Sequence, residues 1–194
     1  MQIFRSKMKK EYSTIEEVIK KNFYDKEEPK TLALMDRLRD AGKRGYLTKD
    51  EFLQIGAWKA ARQKPNHLKN SEKEIIEASK KVFSTKLEKE RMELLTGLHG
   101  VLIPTASAIL TVTDPKNYGV IDIRVWQALY LYGAVNTNPS GVGLNFDNWD
   151  AYLTKLRYYA KRFNVPCRTI ERTLFFYHKK IQEGNLYGPK IGKK

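Results

Sequence analysis

The sequence predicts an all-α protein, and three observations carry that expectation. Apolar residues recur three and four apart in one segment after another, the spacing of a helix face. Several of these segments follow a Ser or Thr with Glu three residues on, a helix-start signature. Sustained one-in-two alternation is missing: VLIP and YGVID are apolar but short, and each abuts a helix signal.

The elements follow in order. Ser13, with Glu16 at capping-box spacing, opens a helix whose apolar side is Ile15, Val18, Ile19 and Phe23. Pro29 leads a second helix carrying Leu32, Leu34, Met35 and Leu38, ended by Gly42 and Gly45. Thr48 and Glu51 open TKDEFLQIGAWKAAR, with Phe52, Ile55 and Trp58 on its stripe. Pro65 to Asn70 reads as a turn, and Ser71 caps a helix with Ile75, Ile76, Val82 and Phe83. A further helix holds Leu94, Leu95 and Leu98. TASAILTV is a short apolar helix broken by Asp114–Pro115, and Asp122 begins IRVWQALYLYG. Asn136 to Asn145 is the clearest loop. Two basic helices, about 147–163 and 167–182, flank Pro166, and the GPKIGKK tail reads as mobile.

Charge narrows the function classes. The 194 residues carry a formal charge of +14, a surplus that points to a polyanionic partner such as nucleic acid. It is uneven: from Ala151 onward there are eleven Lys or Arg against two Asp or Glu, which predicts one basic face. With Cys167 as the single cysteine, an intramolecular disulfide and a four-cysteine zinc or iron–sulfur site are excluded. The N-terminus lacks the apolar region of a signal peptide, and no apolar run approaches the ~20 residues of a membrane span. These features predict a protein of the cytoplasm and nucleoid, or of the nucleus in a eukaryote, with no membrane partner.

Asp40 to Glu51 has the outline of a calcium loop, with Gly45 at position six and Glu51 at twelve. Positions three and five are Gly42 and Arg44, where oxygen ligands are required. A glycine turn before the Thr48 cap is the better reading. His99 and His178 have no partner at ligand spacing, so no metal site is expected.

The most informative stretch is Leu98 to Leu129, LHGVLIPTASAILTVTDPKNYGVIDIRVWQAL. A glycine between two helices permits a sharp turn and a close approach to another surface. The N–H groups at the next helix start then suit a phosphate oxygen, a contact that carries no sequence information.

This stretch resembles the helix-hairpin-helix DNA glycosylases, whose pattern is L-P-G-V-G, a small-residue apolar helix, then V-D-x-H/R-V. LHGVL matches the hairpin, TASAIL the second helix and VIDIRVWQAL the aspartate segment; the 22 residues from Gly100 to Asp122 align without a gap. The resemblance covers about 35 residues. It implies a two-lobed helical fold: residues 1–39 with 135–194 form one lobe, and 40–134 form the lobe with the hairpin. It implies duplex DNA as partner, with contacts from His99, Gly100, Val101, Leu102, Thr105 and Arg124. Asp122 matches the catalytic aspartate that activates water or stabilises an oxocarbenium-like sugar while a flipped base leaves. Pro104 stands where some members carry a lysine nucleophile, so the resemblance implies monofunctional base removal by water. No cofactor or iron–sulfur cluster is implied, beyond room for a monovalent cation at the hairpin carbonyls. The chain departs from the pattern at His99, in place of proline, and at Leu102, in place of the second glycine.

Bland readings stand beside these. Aspartate is a good N-cap, and a cap role for Asp122 is compatible with chemistry. Trp58, Lys59 and Arg62 form a candidate base pocket, with Trp58 stacking and Arg62 one turn on; Trp58 also fits a core stripe. Trp126 reads as core. In the last two helices the aromatics are expected inward, with Arg168, Arg172 and their basic neighbours free for phosphates. The rival to a glycosylase is a non-catalytic hairpin protein that binds DNA. A helical adaptor for an acidic protein is a third reading.

Overall fold

The computed structural model describes residues 8–183 and Leu186, so the expected mobile tail lies outside the described residues. The chain is all-helical there. Helix α1 spans Ile15–Lys21, α2 Pro29–Arg44 and α3 Lys49–Ala60; a 3₁₀ turn, Ala61–Gln63, leads into the single turn α4, Lys64–His67. Then come α5 (Glu72–Ser84), α6 (Glu88–Thr96), α7 (Ile103–Thr113), α8 (Ile123–Leu131), α9 (Phe146–Phe163) and α10 (Cys167–Ile181).

Local chemistry sets most of these boundaries. Thr48 and Ser71 form capping boxes with Glu51 and Glu74, each cap contributing about 0.5–2 kcal/mol. At α1 the box is one residue later than expected, between Thr14 and Glu17. Phe23 lies beyond that helix and is exposed, as is Leu32 on α2. Helix α2 ends at Gly45, whose left-handed backbone (φ +82°) lets its N–H reach the Ala41 carbonyl; Gly42 stays inside the helix. Arg44 then pairs with Glu51 at 2.5 Å, so the last carboxylate of the apparent calcium loop is engaged by the arginine inside that loop.

One continuous core joins the helices. Helix α7 is apolar all round and is buried from Thr105 to Val112, as such a helix must be. Helices α2, α3 and α6 pack on it, and α5 packs on α6. Helix α10 is the second centre, carrying α8, α9 and α1. Asp40 lies inside α2, and α8 packs chiefly on α10.

Between α7 and α8 the chain turns at Asp114–Tyr118 and then passes through a narrow gap. A Cβ on Gly119 would sit 2.6 Å from Leu156 Cδ2 and 2.9 Å from both Glu171 Cβ and the Tyr152 hydroxyl. Tyr152 donates to the Val120 carbonyl (3.1 Å), and the Ile121 N–H donates to Ser107 Oγ (3.1 Å). Helices α7, α9 and α10 thereby fix where Asp122 emerges. The 136–145 loop is fastened as well: Trp126 Nε1 donates to the Asn138 carbonyl (2.7 Å) and Gln127 Nε2 to that of Ser140 (2.8 Å).

Candidate active site and hairpin

Asp122 is the N-cap of α8, with Oδ1 accepting from the Val125 N–H at 3.0 Å. The cap uses one carboxylate oxygen and leaves the half-buried side chain room for a second role. Two residues before Asp122 the Val120 N–H donates to Glu171 of α10, and Arg168, which also donates to Glu171, lies over Trp58 near the end of α3. Glu171 is 4% exposed and accepts from the Val120 N–H (3.4 Å) and from Arg168. Burial pushes its carboxyl above the usual range; Asp122 adds to that shift and Arg168 opposes it.

Arg168 donates to Glu27 through Nε (2.7 Å) and Nη2 (3.3 Å), and its guanidinium lies 5.6 Å from the Trp58 ring centroid. Arg172 pairs with Glu27 at 2.5 Å, donates to the Lys26 carbonyl (2.7 Å) and lies 5.2 Å from the rings of both Tyr24 and Phe176. Its Nη2 is buried with no partner among the described residues. Arg168 and Arg172 are 8% and 7% exposed. These two arginines, expected on the phosphate-binding face, are structural: they close α10 onto the Asn22–Glu28 segment.

The candidate base pocket is only partly assembled. Trp58 is half-buried, donates from Nε1 to Thr31 Oγ1 (3.1 Å) and has Arg168 over its ring. Arg62 is exposed on the 3₁₀ turn because α3 stops at Ala60 (φ −143°), so it does not continue the Trp58 helix face. Lys59 is half-buried on the last turn of α3.

The hairpin lies between α6 and α7. Gly100 has φ +79°, and a Cβ there would sit 2.7 Å from His67 Cδ2 and 2.9 Å from Asn66 Cβ. His67 Nε2 donates to the Gly100 carbonyl (3.1 Å), and the ring stands edge-on to Phe52 at 5.5 Å. On its other side the ring presses on Gly56 of α3, so two glycines cradle it. Asn70 completes the clamp, donating to the His99 carbonyl (3.0 Å) and accepting from the His99 N–H (2.7 Å).

Within the expected contact set, the His99 side chain is exposed and Leu102 is 67% exposed. The side chains of Val101 and Thr105 are core, 3% and 5% exposed, and their N–H groups are given to the Leu98 (3.2 Å) and Leu102 (2.8 Å) carbonyls. Arg124 is half-buried; its guanidinium donates to Gln182 and to His178 Nδ1 (3.4 Å) and lies 5.8 Å from the Phe175 ring. It braces the end of α10. His178 is fully buried and donates from Nε2 to Gln127 Oε1 (2.8 Å). Burial, helped by the Arg124 charge, lowers its pKa to about 4.

His67, Asn70, Glu27 and Glu171 were not singled out from the sequence. The spacing of Arg168, Glu171 and Arg172 on one helix face is the one local signal that pointed to a buried ion-pair group. No helix among the described residues is long and apolar enough to cross a membrane. Compared with known proteins, the chain matches no family model, no curated protein and no solved structure.

Proposed function

We propose that the protein is a monofunctional DNA glycosylase of the helix-hairpin-helix type, with two helical lobes and Asp122 as its catalytic carboxylate. The observation that carries this reading is the placement of Asp122 at the start of α8, with one carboxylate oxygen on the Val125 N–H and the chain behind it held by the Val120 N–H on buried Glu171. The rigid Gly100 turn and the net charge of +14 support duplex DNA as the partner. In this reading the hairpin backbone holds a phosphate while a base leaves the stack. The Asp122 carboxylate faces the sugar, favours positive charge at C1′ and accepts a proton from the attacking water. The glycosidic C–N bond breaks with its electron pair on the leaving base, which takes up a proton. Water oxygen bonds to C1′, leaving an abasic site. No cofactor takes part, and the protein would work at the nucleoid or in the nucleus.

The test is release of free base from duplexes carrying uracil, alkylated purines or oxidised purines, with Asp122→Asn alongside. Asparagine caps a helix about as well as aspartate, so the variant keeps its fold and its DNA binding while release falls by about 10²–10⁴-fold. Equal release by the variant would remove Asp122 from the mechanism.

Two observations favour a second reading, a hairpin protein that binds DNA without chemistry. Leu102 projects where a close phosphate approach favours glycine, and Arg168 lies over Trp58, the expected stacking platform. Salt-sensitive binding without base release from any of those duplexes would select it.

A further inference from the structure

Segment 61–70 carries Arg62, Lys64 and Lys69, all exposed. No acidic residue lies between Glu51 and Glu72, or between Glu93 and Asp114. The segment and the hairpin are therefore free of carboxylates along their whole lengths. They are also one piece. His67 sits between Gly56 and Gly100 with its Nε2 on the Gly100 carbonyl, and Asn70 grips both backbone groups of His99. Lys64 and Lys69 fall on either side of His67 in the chain, so the clamp that fixes the hairpin fixes where both lysines start. The carboxylates nearest in sequence are held on the first turn of α5, where Glu74 serves the Ser71 capping box and Glu72 accepts from the Lys49 N–H.

We propose that segment 61–70 and the hairpin turn form one composite surface for the phosphate backbone of duplex DNA. Lys64 and Lys69 neutralise phosphates of the strand that lies against the hairpin turn. Arg62 belongs to this surface and not to a base pocket. The inference rests on the reading of duplex DNA as the partner, but it does not require catalysis. Each phosphate contact releases counterions, so binding to B-DNA weakens with salt by about 0.9 in log–log slope per contact.

The experiment is equilibrium binding of the full chain to an unmodified duplex across a salt titration, by fluorescence anisotropy. It compares wild type, Lys64→Ala/Lys69→Ala, and a control, Lys20→Ala/Lys21→Ala, which removes the same charge from exposed positions on α1. The expected result is a slope shallower by about two in the first double variant and unchanged in the control. A wild-type slope retained in Lys64→Ala/Lys69→Ala, or an equal drop in the control, would overturn the composite surface while leaving the DNA reading in place. Absence of salt-dependent binding by the wild type would overturn both.

Discussion

Gly100→Ala tests whether the hairpin is as rigid as its surroundings imply. Two costs add. An L side chain at φ +79° enters the left-handed region, at about 1–2 kcal/mol. The new methyl would also stand 2.7 Å from His67 Cδ2, well inside the ~3.5 Å of a comfortable carbon contact. The imidazole has nowhere to retreat: it is 1% exposed, with Phe52 at its edge and Gly56 behind it. Overpacking of this kind costs about 1–3 kcal/mol. The sum is about 2–5 kcal/mol, or roughly 5–15 °C in melting temperature for a chain this long. Urea unfolding of wild type, Gly100→Ala, His67→Ala and the double variant separates the two costs. In the His67→Ala background the alanine should cost less, because the ring clash is gone and only the left-handed backbone, at about 1–2 kcal/mol, and the 2.9 Å approach to Asn66 Cβ remain. A loss below about 1 kcal/mol in the single variant, or an equal loss in both backgrounds, would refute the argument that His67 pins the turn.

Other outcomes follow from the buried polar groups. His178, held neutral with a pKa near 4 against an ordinary 6.5, takes up a proton more readily unfolded than folded. Its contribution to stability is therefore present above pH 6.5 and is lost as pH falls from there towards 4, by up to about 3 kcal/mol. His178→Gln should flatten that decline in denaturant titrations at stepped pH, and parallel curves for the two proteins would contradict it. Glu27→Ala should destabilise by about 3–5 kcal/mol, since it removes the carboxylate shared by two buried guanidinium groups and leaves Arg172 only the Lys26 carbonyl while Arg168 keeps Glu171; a change under about 1 kcal/mol in thermal unfolding would show that Arg172 finds another partner.

The parts of this structure legible in the sequence are those fixed by near neighbours. The Thr48 and Ser71 caps, the stop at Gly45, the buried TASAIL helix and the Asp122 cap each depend on residues within one turn. The slip at α1 has the same origin: Ser13 and Thr14 both suit a cap, and Glu16 and Glu17 both suit its partner, so spacing alone does not choose. What escaped depends on separation along the chain. The His67 bond to Gly100 spans 33 residues and the Glu27 pairing with Arg168 spans 141. Neither leaves a periodic trace. Arg62 was placed on the Trp58 face because no residue near Ala60 announces that the helix stops there.

The ion pairs also change where the positive charge of the molecule lies. By composition the last quarter of the chain is the basic end. Yet Arg157 pairs with Glu88 (2.7 Å), Arg168 and Arg172 are closed onto Glu27, and Lys180 pairs with Glu11 (2.9 Å). A charge paired with a neighbouring carboxylate contributes little to the field a distant polyanion meets. By contrast, Arg62, Lys64 and Lys69 are exposed in a stretch with no carboxylate of its own. An approaching duplex therefore meets less positive charge on α9 and α10 than the composition suggests, and more beside the hairpin. For this reason the salt dependence of binding should be lost from Lys64 and Lys69 before it is lost from the last two helices.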